Sequence, residues 1–252
     1  MVPAIIVESI LLGLITIAFI FYRFAIMPKK IIKAKKQGGD EFFELIMAGG
    51  YQKLVEDFKQ YNTLVKKDGI VFVGDSLTQN YNVYEFFKGY DVYNRGIGGD
   101  TTVGLLKRMD ESVFDLRPKI VVLMIGTNDF AMLPNANKTT VYRNTLSIVQ
   151  LIQNRLPDTK IILESIYPIY EHNNPKIDKA SIGNKTNHMI RHTNTLLKTI
   201  PNVTFVDMDP YLKDERGDFK LEYTMEGLHA NTVGYQVITK VLKEKIDALL
   251  KE

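Results

Sequence analysis

The chain has 252 residues, 45% of them hydrophobic and 24% charged, so it is long enough for a core domain with an appendage. It contains no cysteine, which excludes disulfides and thiolate metal sites. The formal net charge is +3, but residues 1–36 hold six basic residues and one acidic residue, a net +5, which leaves −2 for residues 37–252. Because the larger part is slightly acidic, nucleic acid is not expected as a partner.

An apolar segment opens the chain. Residues 2–22 contain a single charged residue, Glu8, and about 20 apolar residues suffice to span a hydrocarbon core of ~30 Å. A cleaved signal peptide fits poorly, because no basic residue precedes the segment and no small-x-small site follows it. We therefore predict a single transmembrane anchor within residues 1–27 and a location at the cell membrane.

Basic residues follow this predicted span, and none precedes it. They are Arg23, Lys29, Lys30, Lys33, Lys35 and Lys36. The positive-inside rule then favours a cytoplasmic location for the rest of the chain, and an extracellular domain remains the alternative. The basic stretch either rests against anionic lipid headgroups or is only a stop-transfer flank.

Residues 40–67 show helical spacing of apolar residues, interrupted at Gly49-Gly50. The apolar stripe consists of Leu54, Val55, Phe58 and Tyr61. Exposure of so many large apolar side chains would be unusual, so we expect a helix that lies on the main domain, with a solvated linker as the alternative. Residues 28–68 are thus assigned to a basic juxtamembrane linker and helix, and residues 69–252 to the main domain.

From residue 70 onward, apolar runs alternate with helical stretches. The apolar runs cover residues 70–73, 90–94, 119–125, 160–166 and 203–206. The helical stretches cover residues 101–115, 139–156, 178–199 and 231–251. Strands that are apolar throughout are typical of a parallel sheet buried on both faces. The pattern predicts an α/β fold with a doubly wound, five-stranded parallel sheet of the flavodoxin-like kind.

Polar motifs follow four of the predicted strands. They are Gly74-Asp75-Ser76, NRGIGGD at 94–100, GTND at 126–129 and EGLHANTVGY at 226–235. Because ligands of such folds bind beyond the carboxyl ends of the strands, we expect these motifs to converge at one sheet edge. Serine, glycine, asparagine and histidine at successive strand ends are not expected in loops that only connect strands, so their presence indicates a functional site.

These residue types fit nucleophilic catalysis. A serine hydroxyl such as that of Ser76 needs a base within hydrogen-bond reach, which His229 can supply. Glu226 stands three residues earlier and can hold the imidazole in the required tautomer. A developing oxyanion needs donors fixed in advance. The candidates are the Ser76 N–H, a glycine N–H in the GIGGD stretch and the Asn128 amide.

With these blocks, residues from about 68 to 250 resemble the SGNH, or GDSL, hydrolase superfamily, and within it bacterial proteins related to platelet-activating-factor acetylhydrolase subunits. The matching blocks are VFVGDSLTQ, NRGIGGDTT, IGTND and GLHANTVGYQ. The resemblance implies that residues 69–252 form an SGNH hydrolase domain with Ser76 as nucleophile and His229 as base. It also implies an oxyanion hole formed by the Ser76 N–H, the Gly99 N–H and Asn128.

One residue departs from the family pattern. The last block of the family usually has aspartate three residues before the histidine, and here that residue is Glu226. The extra methylene moves the carboxylate by about 1.5 Å. Glutamate serves as the triad acid in other serine hydrolases, so we predict a Ser-His-Glu triad. A backbone carbonyl that orients His229 is the alternative.

The remaining polar candidates have simpler interpretations. Asp75 and Asp129 are predicted to support the site by capping or bracing the loops, since aspartate readily bonds nearby backbone. His188 and His192 stand at i and i+4, a spacing that can bind a metal. No Glu-flanked zinc motif accompanies them, so we expect surface histidines, no metal and no cofactor.

The combined prediction is a membrane-anchored serine esterase or lipase that hydrolyses acyl esters through an acyl-enzyme. Its expected partners are a small-molecule or lipid ester and the membrane, with the oligomeric state left open. Two alternatives remain at this point. One is a non-catalytic binding protein that keeps the fold, and the other is an outward-facing carbohydrate O-deacetylase.

Overall fold

The computed structural model describes residues 48–251 of the chain. The predicted membrane span at residues 2–22 and the basic residues after it lie outside the described residues, so both stay predictions. Within residues 48–251, no helix is both long enough and apolar enough to cross a bilayer. The fold given below is that of the compact unit formed by residues 53–252, together with residues 48–52 of the helix that leads into it.

Five parallel strands form the sheet of this unit. They are β1 (Ile70–Gly74), β2 (Val92–Gly96), β3 (Ile120–Met124), β4 (Lys160–Glu164) and β5 (Thr204–Val206). Their order in the sheet is β2-β1-β3-β4-β5, and every neighbouring pair is parallel. This is the flavodoxin-like order, whose switch point lies between β1 and β3. The predicted five-stranded parallel sheet is confirmed.

Helices connect the strands. In chain order they are α1 (residues 48–64), α2 (Ser76–Gln79), α3 (Val83–Phe86), α4 (Thr102–Lys107), α5 (Met109–Ser112), α6 (Asp129–Met132), α7 (Lys138–Arg155), α8 (Lys179–Ile182), α9 (Asn187–Leu197), α10 (Asp209–Leu212) and α11 (Thr232–Leu249). The long helices α7 and α11 agree closely with the stretches predicted from apolar spacing.

Alternate residues of the central strands point to opposite faces of the sheet. On one face, Val71 and Val73 join a buried cluster with side chains of α4, α7 and α9. On the other face, Ile70 and Phe72 join a second buried cluster with side chains of α2 and α11. Both faces are therefore covered, which explains why the strands are apolar throughout. Each fully buried side chain of this size contributes about 1.5–3 kcal/mol.

The carboxyl ends of β1, β2 and β3 lie level with one another. Gly74 of β1 pairs with Gly96 on one side and with Met124 on the other. A Cβ on Gly74 would lie 2.0 Å from the Met124 carbonyl oxygen, and a Cβ on Gly96 would lie 2.2 Å from the Gln79 backbone nitrogen. Both positions therefore require glycine, and α2 starts directly at the sheet edge without a spacer.

Helix α1 lies on the main domain and is not a solvated linker. Phe58 and Asn62 are buried. The Asn62 amide donates to the Glu111 carbonyl at 2.7 Å, and its oxygen accepts from the Arg95 guanidinium at 2.8 Å. The same guanidinium stands 4.9 Å from the centre of the Phe58 ring, within cation–π range. The compact unit thus begins inside the segment that was assigned to the linker.

Two details of α1 differ from the sequence prediction. Gly49 and Gly50 are helical, so the interruption expected there is wrong. Tyr61 was expected on the buried stripe, but its exposure is 50%. The buried position belongs to Asn62, because its amide group has hydrogen-bond partners in the interior, as a buried polar side chain requires.

Two predicted helices are each divided where the backbone is not helical. In the stretch at 101–115, Arg108 has φ −122° and ψ 23°, turns its guanidinium inward and separates α4 from α5. Val113, with φ −134° and ψ −56°, separates α5 from a 3-10 turn at Phe114–Leu116. The stretch at 178–199 ends its first helix at Gly183, whose φ is +62°. Thr186 then caps α9 by accepting the Met189 N–H.

Candidate active site

Ser76 stands at the tip of β1 as the first residue of α2. The fully buried Asp75 caps this helix, since its Oδ1 accepts the Leu77 N–H at 3.0 Å. From the other side, the Tyr235 hydroxyl of α11 donates to the Leu77 carbonyl at 2.7 Å. The residue that follows the serine is thus held through both its N–H and its carbonyl, which fixes the backbone from which Ser76 projects.

His229 lies 153 positions further along the chain and meets Ser76. Its Nε2 is 2.8 Å from the Ser76 Oγ. Its Nδ1 is hydrogen-bonded to Oε1 of Glu226, which also accepts the His229 backbone N–H at 3.2 Å. A proton held on Nδ1 by the carboxylate leaves Nε2 free to accept from the serine hydroxyl. The structure therefore brings together the three residues predicted as a triad.

Local hydrogen bonds build the turn that carries Glu226 and His229. The Thr224 hydroxyl accepts the Gly227 N–H at 2.9 Å and donates to the His229 carbonyl at 2.8 Å. Gly227 has φ +105°, a conformation that favours glycine. Asn231 then caps α11 by accepting a backbone N–H of its first turn. The turn accommodates the longer glutamate, and its carboxylate, not a backbone carbonyl, bonds Nδ1 of the histidine.

The loops after β2 and β3 carry the predicted oxyanion donors. Gly99 has φ +75°, and Asn128 is the N-cap residue of α6. The neighbouring Gly98 lies close to the nucleophile, because a Cβ placed on it would be 3.8 Å from the Ser76 Cβ. The Asn128 amide donates to the Asp100 carbonyl at 3.0 Å, which joins the two loops. A side-chain amide has two N–H donors, so one remains for a ligand.

Asp129 also joins these two loops, through its buried carboxylate. Its fully buried carboxylate accepts the Thr102 N–H at 2.9 Å and also the Thr102 hydroxyl. Asn144 of α7 donates to the Thr102 hydroxyl oxygen at 2.8 Å. Burial raises the pKa of Asp129, and the two bonds from Thr102 oppose that rise. Asp129 belongs to the loop after β3, and its carboxylate bonds the backbone of Thr102 in the loop after β2. It therefore holds the two loops together.

Sequence reasoning missed Arg108, which is almost fully buried beneath the site. Its Nε donates to the Asp100 carboxylate at 2.7 Å, and its terminal nitrogens donate to the carbonyls of Gly74 at 2.9 Å and Arg95 at 2.8 Å. It therefore ties β1, β2 and the Gly99 loop together. The available signal was its position three residues after the apolar Leu105, which places a charge on the inward face of a predicted helix.

The carboxylate of Asp75 has an unusual environment. Its Oδ2 is buried and has no hydrogen-bond partner in the part of the chain that the structure describes. Burial raises the pKa of Asp75 to about 7; the nearby charges of Asp100 and Asp129 add to this rise, and the Leu77 N–H and the Lys185 charge oppose it. The group next to the nucleophile therefore titrates close to neutral pH.

Beyond these residues, the buried Tyr167 donates to the buried Glu164 carboxylate at 2.6 Å. His188 and His192 are exposed neighbours on α9, with ring centres 4.3 Å apart. Within residues 48–251, no group of three or more metal-ligating side chains is found.

Comparison with known proteins agrees with this geometry. The model of the GDSL-like Lipase/Acylhydrolase family matches residues 72–237, well over half of the chain. The chain belongs to the GDSL-like lipase/acylhydrolase family. The matched residues of this acylhydrolase include Ser76, Gly99, Asn128, Glu226 and His229, and the resemblance inferred from the sequence blocks is confirmed.

Individual relatives of this acylhydrolase support the assignment. Platelet-activating factor acetylhydrolase IB subunit alpha2 of Gallus gallus is 30% identical over 207 residues, which are 80% of this chain and 84% of that protein. The same subunit of Rattus norvegicus is 33% identical over 192 residues, or 74% of this chain and 80% of that one.

A solved structure from Streptococcus pneumonia, described as a platelet activating factor, is also similar to this acylhydrolase. It superposes with a TM-score of 0.76 at 28% identity and covers 83% of this chain and 98% of its own. Together with the family match, this places the chain among hydrolases that act on ester bonds.

Proposed function

We propose that this acylhydrolase is a serine esterase with a Ser76-His229-Glu226 triad. The observation that carries the proposal is the 2.8 Å contact between the Ser76 Oγ and Nε2 of His229, with Glu226 bonded to the opposite ring nitrogen. A serine with a base in hydrogen-bond reach, and a base oriented by a carboxylate, is the arrangement that activates a hydroxyl for attack on a carbonyl.

The reaction proceeds in two halves. The Ser76 Oγ attacks the ester carbonyl as its proton passes to His229, and His229 then protonates the departing alkoxide, which leaves an acyl-enzyme. Water attacks the acyl-enzyme in the second half; its proton goes to His229 and returns to Ser76 as the carboxylic acid departs. Glu226 stabilises the imidazolium that forms in both halves.

Three donors are proposed to stabilise the oxyanion. They are the backbone N–H groups of Ser76 and Gly99 and the side-chain amide of Asn128. Each preorganised donor of this kind is worth ~3 kcal/mol of barrier lowering. The left-handed backbone of Gly99 and the bond between Asn128 and the Asp100 carbonyl support this role, since both fix the donors in advance.

The names of the relatives bear on the substrate. The proteins of Gallus gallus and Rattus norvegicus are named as acetylhydrolases of platelet-activating factor. We infer that this chain also takes an ester with a short acyl group. The predicted anchor at residues 2–22 would hold the enzyme at a membrane, which gives lipid esters an advantage as substrates.

Alkaline carbonate extraction tests the predicted anchor. It should leave the full chain in the membrane pellet, and release of the chain would refute the anchor.

Labelling with a fluorescent fluorophosphonate tests the triad. The full chain should react at Ser76, as shown by peptide mass spectrometry, and the Ser76→Ala variant should not react. Ser147→Ala is the matched control, because Ser147 is exposed on α7 and its hydroxyl bonds only the local Arg143 carbonyl. Labelling that persists in Ser76→Ala would exclude the proposed nucleophile.

A further inference from the structure

Gln79 is the last residue of α2, the short helix that begins with Ser76. Its side chain is exposed, and its Oε1 accepts the Gly98 backbone N–H at 2.6 Å. Because that N–H can only donate, the bonded atom of the side-chain amide must be its oxygen. The helix of the nucleophile thus holds the loop after β2 through a side chain that the proposed reaction does not use.

The bond to Gln79 fixes one peptide group of a tight turn. The peptide between Ile97 and Gly98 donates its N–H to Gln79, and its carbonyl accepts the Asp100 N–H at 3.2 Å. The second of these bonds closes a four-residue turn. The φ of +75° at Gly99 fits the third position of a type II turn, which requires a positive φ. The peptide group that opens the turn is therefore bonded at both of its ends.

The next peptide group carries the proposed oxyanion donor. The Gly99 N–H belongs to the peptide between Gly98 and Gly99, and two adjacent glycines allow a wide range of backbone conformations. No side chain limits the rotation of this peptide, so the direction of the Gly99 N–H depends on the groups that are bonded on either side. On one side, the Asp100 carbonyl accepts the Asn128 amide. On the other side, Gln79 holds the Gly98 N–H.

The turn, the glutamine and the nucleophile lie next to one another. A Cβ on Gly98 would be 2.8 Å from the Gln79 Oε1 and 3.8 Å from the Ser76 Cβ. Ser76 and Gln79 are three positions apart on α2, a spacing that places both side chains on the same side of a helix. One helix therefore carries both the nucleophile and the acceptor that holds the turn of the oxyanion donor.

We propose that Gln79 is a positioning residue, whose bond to the Gly98 N–H directs the Gly99 N–H at the oxyanion that forms when Ser76 attacks. The inference rests on the proposed serine mechanism. A donor that is fixed before the reaction stabilises the developing charge without reorganisation, whereas a donor on a freely rotating turn does not. Loss of the Gln79 acceptor therefore affects the charged intermediate more than it affects the bound ester.

Kinetics of the full chain with p-nitrophenyl acetate test this role. In Gln79→Leu, kcat should fall about five- to tenfold, because the donor turn loses one hydrogen bond. KM should change little, since the oxyanion is absent from the ground state. The thermal midpoint should stay at the wild-type value, because Gln79 is exposed. Asn80→Ala changes the exposed neighbour and is the matched control, with kcat and KM unchanged.

Gln79→Glu separates the hydrogen bond from the shape of the side chain. Its carboxylate keeps an oxygen acceptor at the same reach, and about 1 M NaCl screens the added charge. Under these conditions, the kcat of Gln79→Glu should lie closer to that of the wild type than the kcat of Gln79→Leu does. Equal losses of kcat in the two variants would overturn the inference, because the acceptor would then have no effect.

Thermal unfolding and fluorophosphonate labelling distinguish the remaining outcomes. A thermal midpoint that falls together with kcat in Gln79→Leu would make Gln79 a structural residue, which also overturns the inference. If the wild-type chain is not labelled at Ser76, the proposed esterase function fails, and the positioning role fails with it. Normal labelling of the wild type together with an unchanged kcat in Gln79→Leu overturns only the role of Gln79.

Discussion

The turn that carries the histidine differs from the layer beneath the nucleophile. In the turn at residues 224–231, the side chains of His229 and Glu226 are about one-fifth exposed. The hydrogen bonds made by these two side chains join positions three apart, except for the contact with Ser76. Beneath the nucleophile, Arg108 and Asp100 are almost fully buried, and Arg108 reaches carbonyls up to 34 positions away.

This difference distinguishes the residues that take part in the reaction from those that hold the loops in place from beneath. Groups that must exchange protons with a substrate lie where a substrate can reach them, and a short local turn sets their spacing. Groups that hold the loops are sealed from water, where an unsatisfied charge is most unfavourable. Changes in the turn should therefore remove activity and leave the fold intact, and changes in the buried layer should weaken the fold.

The largest expected effect is on catalysis, from Glu226→Gln. The amide cannot hold the imidazole in the required tautomer, so kcat should fall by ~10⁴-fold, as a neutral substitute for the triad acid does in related chemistry. The thermal midpoint should stay close to that of the wild type. Steady-state kinetics and thermal unfolding measure both, with the exposed Glu222→Gln as control.

Aspartate at the same position refines this test. Glu226 already reaches Nδ1 of His229, so Glu226→Asp should withdraw the carboxylate by about 1.5 Å and lower turnover. A large gain in turnover would instead indicate an idle site and favour a binding protein that keeps the fold.

Arg108→Met should mainly lower the stability of the fold, in contrast to Glu226→Gln, which should mainly lower activity. It leaves the buried Asp100 carboxylate unpaired and removes one donor from each of three further acceptors, the Gly74 and Arg95 carbonyls and the Ser112 hydroxyl, so the free energy of unfolding should fall by about 3–5 kcal/mol. Urea denaturation followed by circular dichroism measures the loss. Arg143→Met on the exposed side of α7 is the control, and a loss of equal size there would remove the distinction.

Asn128→Ala combines properties of both regions, because the amide bonds a buried carbonyl and is a proposed oxyanion donor. We expect kcat to fall ~10²–10³-fold with little change in KM, since the donor acts on the charged intermediate. Kinetics of Asn154→Ala, an exposed residue of α7, provide the comparison. A rise in KM with unchanged kcat would assign Asn128 to ground-state binding.

Glu164→Gln should stabilise the protein at alkaline pH. Burial raises the folded-state pKa of Glu164 from 4.5 to about 7. The protonated form therefore stabilises the fold below the unfolded-state pKa, and this contribution, about 3 kcal/mol, is lost as the pH rises through about 7.

Glutamine can still accept from the Tyr167 hydroxyl, so the variant should unfold at higher urea than the wild type at pH 8, and the gap should shrink towards pH 5. The exposed Glu171→Gln is the control. A gap that is independent of pH would contradict the assigned titration.

The sequence predicted the parts of the site that depend on local spacing. Apolar runs ending in Gly74-Asp75-Ser76 and in the Asn128 motif indicated strand tips, and the i to i+3 spacing of Glu226 and His229 anticipated their contact. These relations follow from periodicity and turn chemistry, which short stretches of chain already contain.

The parts that the sequence did not predict depend on tertiary contacts. Nothing adjacent to Arg108 indicates that its partners come from β1 and β2. Asn62 is buried in place of Tyr61, because Arg95 and Glu111 are hydrogen-bond partners for its amide group. Such choices are decided by where polar partners lie in three dimensions.

The glycines at positions 74 and 96 have a consequence for how this enzyme can change. Each glycine packs directly against the backbone of a neighbouring segment, next to the strand end that carries the nucleophile. A larger residue at either position would clash with backbone atoms, and repacking of side chains cannot relieve that clash. Libraries at either glycine should therefore yield almost only inactive clones, so new ester preferences must arise at positions away from these two strand ends.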